Sequence, residues 1–370
     1  MGYWLWQRIK TLTNVTDSDT QRIELAENAK LSSLRVICAT KVDDTERTAA
    51  TVCARQWDDI DNLRVLGDEQ DVIKLLSGRE CLGLNLYDNR APPAWQVGED
   101  RDGENIIPYD LNFGLYPGDP EHCLDTSRWG KVTLEIEHSF TTTDKVGFQS
   151  GVSDFDVWQL RRIGEMPGSV RGYFKTSRKY KWTLSSTAGD WKETLPPKNP
   201  FRRIAIFSHE DTYTPGEAIT DVELWLNDGA LKPFYGIPMR MCMAQTGLYR
   251  ILPSLRYTVA AYTGATDALT ETEIPYIQSV VVVPRTASGA SALSLTSVSG
   301  SHIGLAQTGA GDGFAQVVGD GFMGCLLIPF DLSGEGDYLP SSEYSKIEVK
   351  LAGKGTRVPA MSVVLDELVA

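Results

Sequence analysis

The chain has 370 residues, of which 42% are hydrophobic and 23% charged, a balance typical of a globular protein and unlike that of a disordered one. This length exceeds the size at which a single hydrophobic core usually stops growing, so two domains are expected. The formal net charge of −13 argues against direct nucleic-acid binding, and no run of eighteen apolar residues predicts a transmembrane helix.

The first 30 residues predict a partly helical arm. Apolar side chains recur at a spacing close to helical, at Trp4, Leu5, Ile9 and Leu12. Polar residues follow, and a second helix-like run extends from Gln21 to Lys30. An amphipathic arm of this kind is compatible with packing on its own domain, with a contact to a neighbouring subunit or with a membrane surface.

From Leu31 onward, short segments of alternating apolar and polar residues predict antiparallel strands with one buried face. The clearest segments are residues 132–136, 173–184, 203–207, 221–226 and 346–351. Turn residues separate them, and no helix longer than about three turns is predicted. The sequence therefore predicts an all-β fold. The segment 286–313, rich in Ser, Gly, Ala and Thr, fits either a long surface loop or a run of weak strands.

An internal repeat indicates how these strands are organised. The block from Leu124 to Ile136 reappears from Leu339 to Leu351, and each residue lies 215 positions before its counterpart, as Leu124 and Leu339 show. Both copies contain an apolar anchor, a small hydroxyl residue, an aromatic residue and a lysine, followed by an alternating strand. The residues that define the motif are Leu124, Ser127, Trp129 and Lys131 in the first copy and Leu339, Ser342, Tyr344 and Lys346 in the second.

Two weaker matches support a duplication. Ile107-Pro-Tyr-Asp-Leu resembles Ile328-Pro-Phe-Asp-Leu, and the segment that begins at Ile60 resembles the one that begins at Ile219. Repeats of this length favour two tandem sandwiches or barrels of about eight strands over a solenoid or a propeller, whose periods are shorter. The predicted organisation is an arm at residues 1–30, a first barrel at 31–167 and a second at 168–370.

Few residues point to catalysis. The acidic run at residues 58–61 is typical of a solvated loop, so no enzyme, cofactor or metal is predicted. Six cysteines without a C-x-x-C pair predict reduced and mostly buried thiols. The histidines lie far apart, which argues against a metal site and predicts ordinary surface or loop positions for His122, His138, His209 and His302.

The tandem organisation, the repeated block at Leu124 and Leu339 and the segment from Pro200 to Gly229 resemble the double-jelly-roll major capsid proteins of tailless icosahedral viruses. This lineage includes membrane-containing phages and, more distantly, adenovirus hexon. The resemblance extends from about residue 31 to the end of the chain. It implies two eight-stranded jelly rolls side by side, with the N-terminal arm low in the shell, near a neighbour or an internal membrane.

The resemblance also implies a function and a set of partners. The chain would form homotrimers with a pseudo-hexameric outline, and these capsomers would contact one another and vertex or minor capsid proteins. The protein would be made in the host cytoplasm and located in the virion shell. Two other classes of function stay open: a tandem jelly-roll protein that binds a carbohydrate or a receptor, and a glycoside hydrolase on a β-sandwich.

Overall fold

The computed structural model describes residues 2–43, 56–91, 104–142, 147–165, 168–209, 215–249, 254–260, 268–273, 278–282, 292–299, 302–308, 312–331, 336–355 and 358–370. Strands dominate these residues, and the five alternating segments predicted from the sequence lie on strands except for the end residues Leu184 and Lys346. Among the described residues, the helices are all too short or too polar to cross a membrane.

The first half of the chain forms a jelly roll of two four-stranded sheets. Its elements are β1 (Tyr3–Val15), β2 (Ser18–Glu24), β3 (Lys30–Asp43), α1 (Gln56–Asp59), β4 (Ile60–Gly67), β5 (Asp71–Leu76), α2 (Gly78–Asn89), β6 (Glu104–Asn112), β7 (Leu124–Asp125), a 3-10 helix (Thr126–Arg128), β8 (Val132–Ser139), β9 (Gly147–Phe148) and β10 (Ser153–Ile163). One sheet has the strand order β1-β10-β3-β6, with β7 and β9 pairing on β3, and the other has the order β2-β8-β4-β5. Neighbouring strands are mostly distant in sequence, as jelly-roll topology requires.

The second half repeats this arrangement. Its elements are β11 (Tyr173–Thr183), β12 (Gly189–Leu195), β13 (Phe201–Ser208), α3 (Pro215–Ala218), β14 (Ile219–Leu226), β15 (Leu231–Gly236), α4 (Pro238–Tyr249), β16 (Ser254–Ala260), β17 (Ala268–Glu273), β18 (Gln278–Val282), β19 (Ala292–Ser299), β20 (His302–Thr308), β21 (Asp312–Asp320), a 3-10 helix (Phe322–Gly324), β22 (Cys325–Pro329), a 3-10 helix (Ser341–Glu343), β23 (Ile347–Gly353) and β24 (Ala360–Val369). The two sheets have the orders β11-β24-β13-β22 and β12-β23-β14-β15. The predicted pair of eight-stranded jelly rolls is therefore confirmed.

The extra length of the second roll forms strands inserted between α4 and β22. They make two three-stranded sheets, β16-β21-β18 and β17-β20-β19. The described parts of the segment 286–313 are the strands β19 and β20 and the start of β21. Of the two alternatives for this segment, strands are thus correct for these residues.

Each roll encloses its own hydrophobic core. The repeated strand contributes three inward-facing side chains to each core, all at most 4% exposed: Val132, Leu134 and Ile136 in β8, and Ile347, Val349 and Leu351 in β23. Burying a side chain of this size stabilises the fold by about 1.5–3 kcal/mol. The period-2 pattern of these strands is therefore enforced by packing.

The predicted helical arm at residues 1–30 is wrong. Residues 3–15 and 18–24 are the strands β1 and β2, which pair with β10 and β8 of the first roll. The apolar spacing resembled a helix because β1 contains irregularities between Arg8 and Lys10 and between Leu12 and Val15. A bulge inserts an extra residue, so the spacing of inward side chains changes locally from two to three.

The boundary predicted between residues 167 and 168 stays a prediction. It falls between the end of β10 at Ile163 and the start of β11 at Tyr173. Residues 166 and 167 lie outside the described part of the chain.

Candidate functional site

The two rolls repeat each other in strand register, which allows a counterpart to be assigned to each residue. Ile60 pairs with His138 in the first roll, and Ile219 pairs with Gly353 in the second. Both pairings are then interrupted by an irregularity at the same position, after Ile60 and after Ile219. The pairing of β1 with β10 likewise matches that of β11 with β24, including the irregularity after Arg8 and after Arg178.

The repeated motif occupies corresponding positions in the two rolls. Leu124 pairs with Leu31 of β3, and Leu339 forms a bridge with Phe201 of β13. A 3-10 turn follows in each copy. Trp129 then contacts Tyr173 edge-on, with ring centroids 5.8 Å apart.

The structure places the buried hydroxyl of each turn one residue before the predicted serine. Thr126 Oγ1 accepts from Ala29 N at 2.8 Å and donates to the carbonyl of Ala26 at 2.9 Å. Its counterpart, Ser341, donates to the carbonyl of Asn199 at 2.5 Å. Ser127 and Ser342 are exposed. The small residue that ties the turn to the segment just before β3 or β13 is therefore Thr126 or Ser341.

The remaining motif positions are nearer the surface. Tyr344 packs at the margin of the second core. Lys131 lies 2.5 Å from Glu24 Oε1, and Lys346 lies 3.1 Å from both Asp228 and Glu348. Exposed ion pairs of this kind contribute little to stability.

The match between Ile107-Pro-Tyr-Asp-Leu and Ile328-Pro-Phe-Asp-Leu does not join equivalent positions. Ser33 and Arg203 are counterparts, and they pair with Asn112 and Pro329 respectively. Asn112 is thus the counterpart of Pro329, which leaves the two short segments four residues out of register. The shift is even, so the same face of the strand is still buried.

The four residues predicted as arm contacts do not share one surface. Ile9 and Leu12 pack against the first core. Leu5 is 45% exposed. Trp4 lies under the guanidinium group of Arg162, 5.7 Å from the ring centroid. A possible contact surface is therefore limited to the start of β1.

The two rolls are joined through β5, β11 and α2. The strands β5 and β11 pair in parallel, with Lys74 opposite Thr176 and Leu75 opposite Ser177, and this pairing unites two sheets into one of eight strands. Residues 78–87 of α2 are all buried. Apolar side chains of the second roll belong to the first core, among them Ala205, Phe207, Leu327 and Val364. The intrachain junction is therefore a continuous packed interior.

One buried carboxylate, Glu80 of α2, organises the polar part of this junction. Ser362 donates to Glu80 Oε1 at 2.5 Å, His209 Nε2 lies at 3.4 Å from the same oxygen, and Arg178 lies at 3.7 Å. Burial disfavours the charged form, but the bonds from His209 and Ser362 and the charge of Arg178 outweigh it and lower the pKa of Glu80 to about 2.

A second group of charges crosses the same junction. Lys74 donates to Thr176 Oγ1 at 2.6 Å, and Thr176 donates to Asp366 at 2.8 Å. Burial lowers the pKa of Lys74 to about 8. Arg203 lies 2.9 Å from Asp88 of α2 and 3.0 Å from Asp366. The group is mutually paired, as charges in a buried site must be.

The counterparts of β5 and α2 in the second roll are uncovered. In the described residues β15 pairs only with β14, and it is the edge of its sheet. Large apolar side chains of this region are exposed by 37–65%: Leu231, Tyr235, Ile237, Met243 and Leu248. Between β15 and α4 lies a groove of about 260 Å³ that includes Phe234, Arg240 and Met241. An exposed apolar surface of this kind is typical of interaction sites and ligand-binding grooves.

The described residues contain no group of three His, Cys, Asp or Glu side chains arranged to hold a metal ion. The predicted surface or loop position is wrong for His138, which lies on β8 and is 1% exposed; His122 lies outside the named strands but is buried, at 5% exposure. His122 is held by Asp119 at 3.1 Å, and His138 stacks on Phe140. Five of the six cysteines are buried and form no disulfide among the described residues, and Cys53 lies outside those residues.

Burial raises the pKa of Asp59 to about 6 against the opposing effect of hydrogen bonds from Thr141. Those bonds tie Asp59 to the loop after β8, with Thr141 Oγ1 at 3.0 Å. This perturbed carboxylate therefore has a structural partner of its own.

The chain is similar over nearly its whole length to three solved capsid proteins. The alignment with the major capsid protein of Sulfolobus turreted icosahedral virus covers 99% of this chain and 97% of that protein, with a TM-score of 0.60 and 11% identity. For the major capsid protein of bacteriophage PM2, coverage is 100% and 98%, with a TM-score of 0.55 and 9% identity. For VP54 of PBCV-1, coverage is 99% and 93%, with a TM-score of 0.55 and 9% identity. The chain has the double-jelly-roll fold.

No protein-family model and no curated protein matches the sequence. The double jelly roll is therefore recognisable here from its topology and from the internal register.

Proposed function

We propose that the protein is a structural subunit of a viral capsid shell, with no enzymatic role, and that it assembles as a homotrimer of six jelly rolls. The proposal rests on one observation: β5 and α2 of the first roll are covered by the second roll, while their counterparts β15 and α4 are exposed. The surface that is buried on β5 and α2 in the first roll is therefore exposed on β15 and α4 in the second roll.

We expect a second copy of the chain to bind this surface. The face that covers β5 and α2 is formed by β11, β13, β22 and β24, and its counterpart in the first roll is the outer face of β1-β10-β3-β6. Such a contact is heterologous, because it joins different surfaces of the two chains, and it produces a closed ring when its rotation closes. Three chains of two rolls would give the pseudo-hexameric outline, which can tile a shell.

The first roll carries an interface-like composition on this outer face. Arg35 lies 5.0 Å from the centroid of Trp6, and Arg8 lies 5.8 Å from that of Trp158. Tryptophan and arginine are enriched among the residues that dominate protein–protein binding. Further contacts with neighbouring capsomers, with vertex or minor capsid proteins and with an internal membrane belong to the same proposal, and they would place the protein in the virion.

Size-exclusion chromatography with light scattering, followed by electron microscopy of the concentrated protein, tests the proposal. We expect a stable trimer that forms sheets or shells. A monodisperse monomer would overturn the proposed function. A small oligomer that binds glycans on an array and forms no extended assembly would instead favour the carbohydrate-binding alternative.

A further inference from the structure

The exposed edge strand β15 is the counterpart of β5, and the edge strand β1 is the counterpart of β11. β5 pairs in parallel with β11. Val65 pairs with Lys74 and Leu224 with Phe234, which makes Phe234 the counterpart of Lys74 and Tyr235 that of Leu75. In the described residues, β1 pairs only with β10, so its other edge is open as well.

We infer that a second copy docks its β1 on β15 in the register that β11 adopts on β5, and that it covers α4 with the outer face of its first roll. Trp6 and Gln7 are the counterparts of Thr176 and Ser177, because Tyr3 pairs with Ile163 as Tyr173 pairs with Val369. Trp6 of one copy therefore lies opposite Phe234 of the next, and Gln7 lies opposite Tyr235. This inference rests on the proposed function and specifies its contact.

At the position of Lys74 and Thr176, both side chains differ between the intrachain contact and the proposed contact between chains. Within the chain the pair is polar, since Lys74 donates to Thr176 at 2.6 Å. Between chains both members are aromatic, Phe234 and Trp6. Phe234 is half-buried and lines the groove beside α4, which the incoming indole would enter. An aromatic pair contributes about 0.5–1.5 kcal/mol beyond the area that it buries.

At a second position, the charges differ between the two contacts, and the new side chains have opposite charges. Glu80 bonds to Ser362 within the chain at 2.5 Å. The counterpart of Glu80 is Arg240, which is exposed, and the counterpart of Ser362 is Asp156. A cation on α4 thus faces an anion on β10 of the second copy. Arg8 lies 3.9 Å from Asp156 in its own chain and would share this carboxylate.

At a third position, the charged side chains of the intrachain contact all have uncharged counterparts. Asp88 forms ion pairs with Arg202 and Arg203 at 3.0 and 2.9 Å. The counterpart of Asp88 is Leu248, which is 55% exposed, and those of the two arginines are Ser32 and Ser33, which are fully buried within their own roll. At this position, therefore, neither side of the contact would bury a charge. Two complementary replacements, together with a third position that brings no charge to the contact, favour a second copy of this chain over an unrelated partner.

Oxidative cross-linking tests the register. Opposed residues of neighbouring strands are about 5 Å apart, which a disulfide can bridge, whereas residues displaced by two positions are about 8 Å apart and cannot be bridged. The double variant Gln7→Cys/Tyr235→Cys should give covalent dimers and trimers on non-reducing gels, and heating with a reductant should return the monomer. The matched control Leu5→Cys/Tyr235→Cys should give at least tenfold less product.

The single variants Gln7→Cys and Tyr235→Cys distinguish the type of contact. Neither should cross-link, because a heterologous contact never brings a residue next to its own copy. Efficient cross-linking by a single variant would show an isologous contact and overturn the inference. Unmodified protein treated in the same way controls for the native cysteines.

Charge reversal is an independent test of α4. Arg240→Asp should raise the concentration at which the trimer dissociates by at least tenfold, and the control Lys198→Asp, on an exposed turn, should leave it unchanged. If unmodified protein is a trimer and neither the cross-link nor the Arg240→Asp effect appears, the inference fails while the proposed function stands. If unmodified protein is a monomer, the proposed function itself fails.

Discussion

Replacing Glu80 with glutamine should remove a stabilising charge at the junction between the rolls. Glutamine keeps an acceptor for the Ser77 backbone N–H, which donates to Glu80 Oε2 at 2.8 Å and caps α2. The change therefore affects mainly the charged contacts with His209, Arg178 and Ser362. Loss of one member of such a buried group leaves the others without their partner.

The magnitude follows from the pKa of Glu80. Its folded-state value of about 2 lies below the ordinary 4.5, a difference of about 2.5 pH units or about 3 kcal/mol. Since folding lowers this pKa, the stabilisation is fully present above pH 4.5 and is lost as the pH falls towards 2. Glu80→Gln should therefore lower the free energy of unfolding by about 3 kcal/mol at pH 7 and by much less near pH 2.

Urea unfolding monitored by tryptophan fluorescence measures this difference. Both proteins are compared at one concentration, so that any coupled dissociation cancels. Glu24→Gln is the control, because Glu24 is exposed and its surface pair with Lys131 should contribute little to stability. An effect of Glu80→Gln that stays constant between pH 7 and pH 2.5 would refute the electrostatic explanation.

Three further predictions concern single positions. Because burial lowers the pKa of Lys74 to about 8 from 10.5, the stability of the unmodified protein in urea unfolding should rise between pH 8 and pH 10, and Lys74→Met should abolish this rise. Thr126→Ala should cost about 1–3 kcal/mol in the same assay, since it leaves the Ala29 N–H without its buried acceptor. Gly83→Ala should destabilise the junction by about 1–3 kcal/mol, because a Cβ there would lie 2.5 Å from the Phe207 ring. Met243→Ala, at the counterpart position in α4, should change the free energy of unfolding of the monomer by less than about 0.5 kcal/mol.

The sequence predicted the fold where a strand buries only one face. Period-2 alternation in β8 and β23 identified both strands, and their constant spacing identified the duplication. The same logic failed for β1, because two bulges gave strand residues a helix-like spacing. A single sequence does not distinguish a bulged strand from an amphipathic helix when no partner strand is known.

The polar junction could not be predicted because its partners are remote in sequence. Lys74 and Thr176 are 102 positions apart, and Glu80 and Ser362 are 282 apart. Each of these residues by itself is typical of a solvated surface. Only the packing of α2 on the second roll makes their burial evident.

The difference between α2 and α4 has a physical reason in the two kinds of contact. The intrachain junction forms between covalently linked rolls, so it can retain charged groups such as the buried Lys74 and the Asp88 side chain, which is 8% exposed; such groups seldom gain net stability over apolar residues. A contact between separate chains must also offset the entropy of association, about 4–15 kcal/mol. Phe234 and Leu248 at the corresponding positions bring apolar area with no desolvation penalty. Replacing charge by apolar surface on one copy of a duplicated junction is therefore what a change from intrachain to interchain contact would favour.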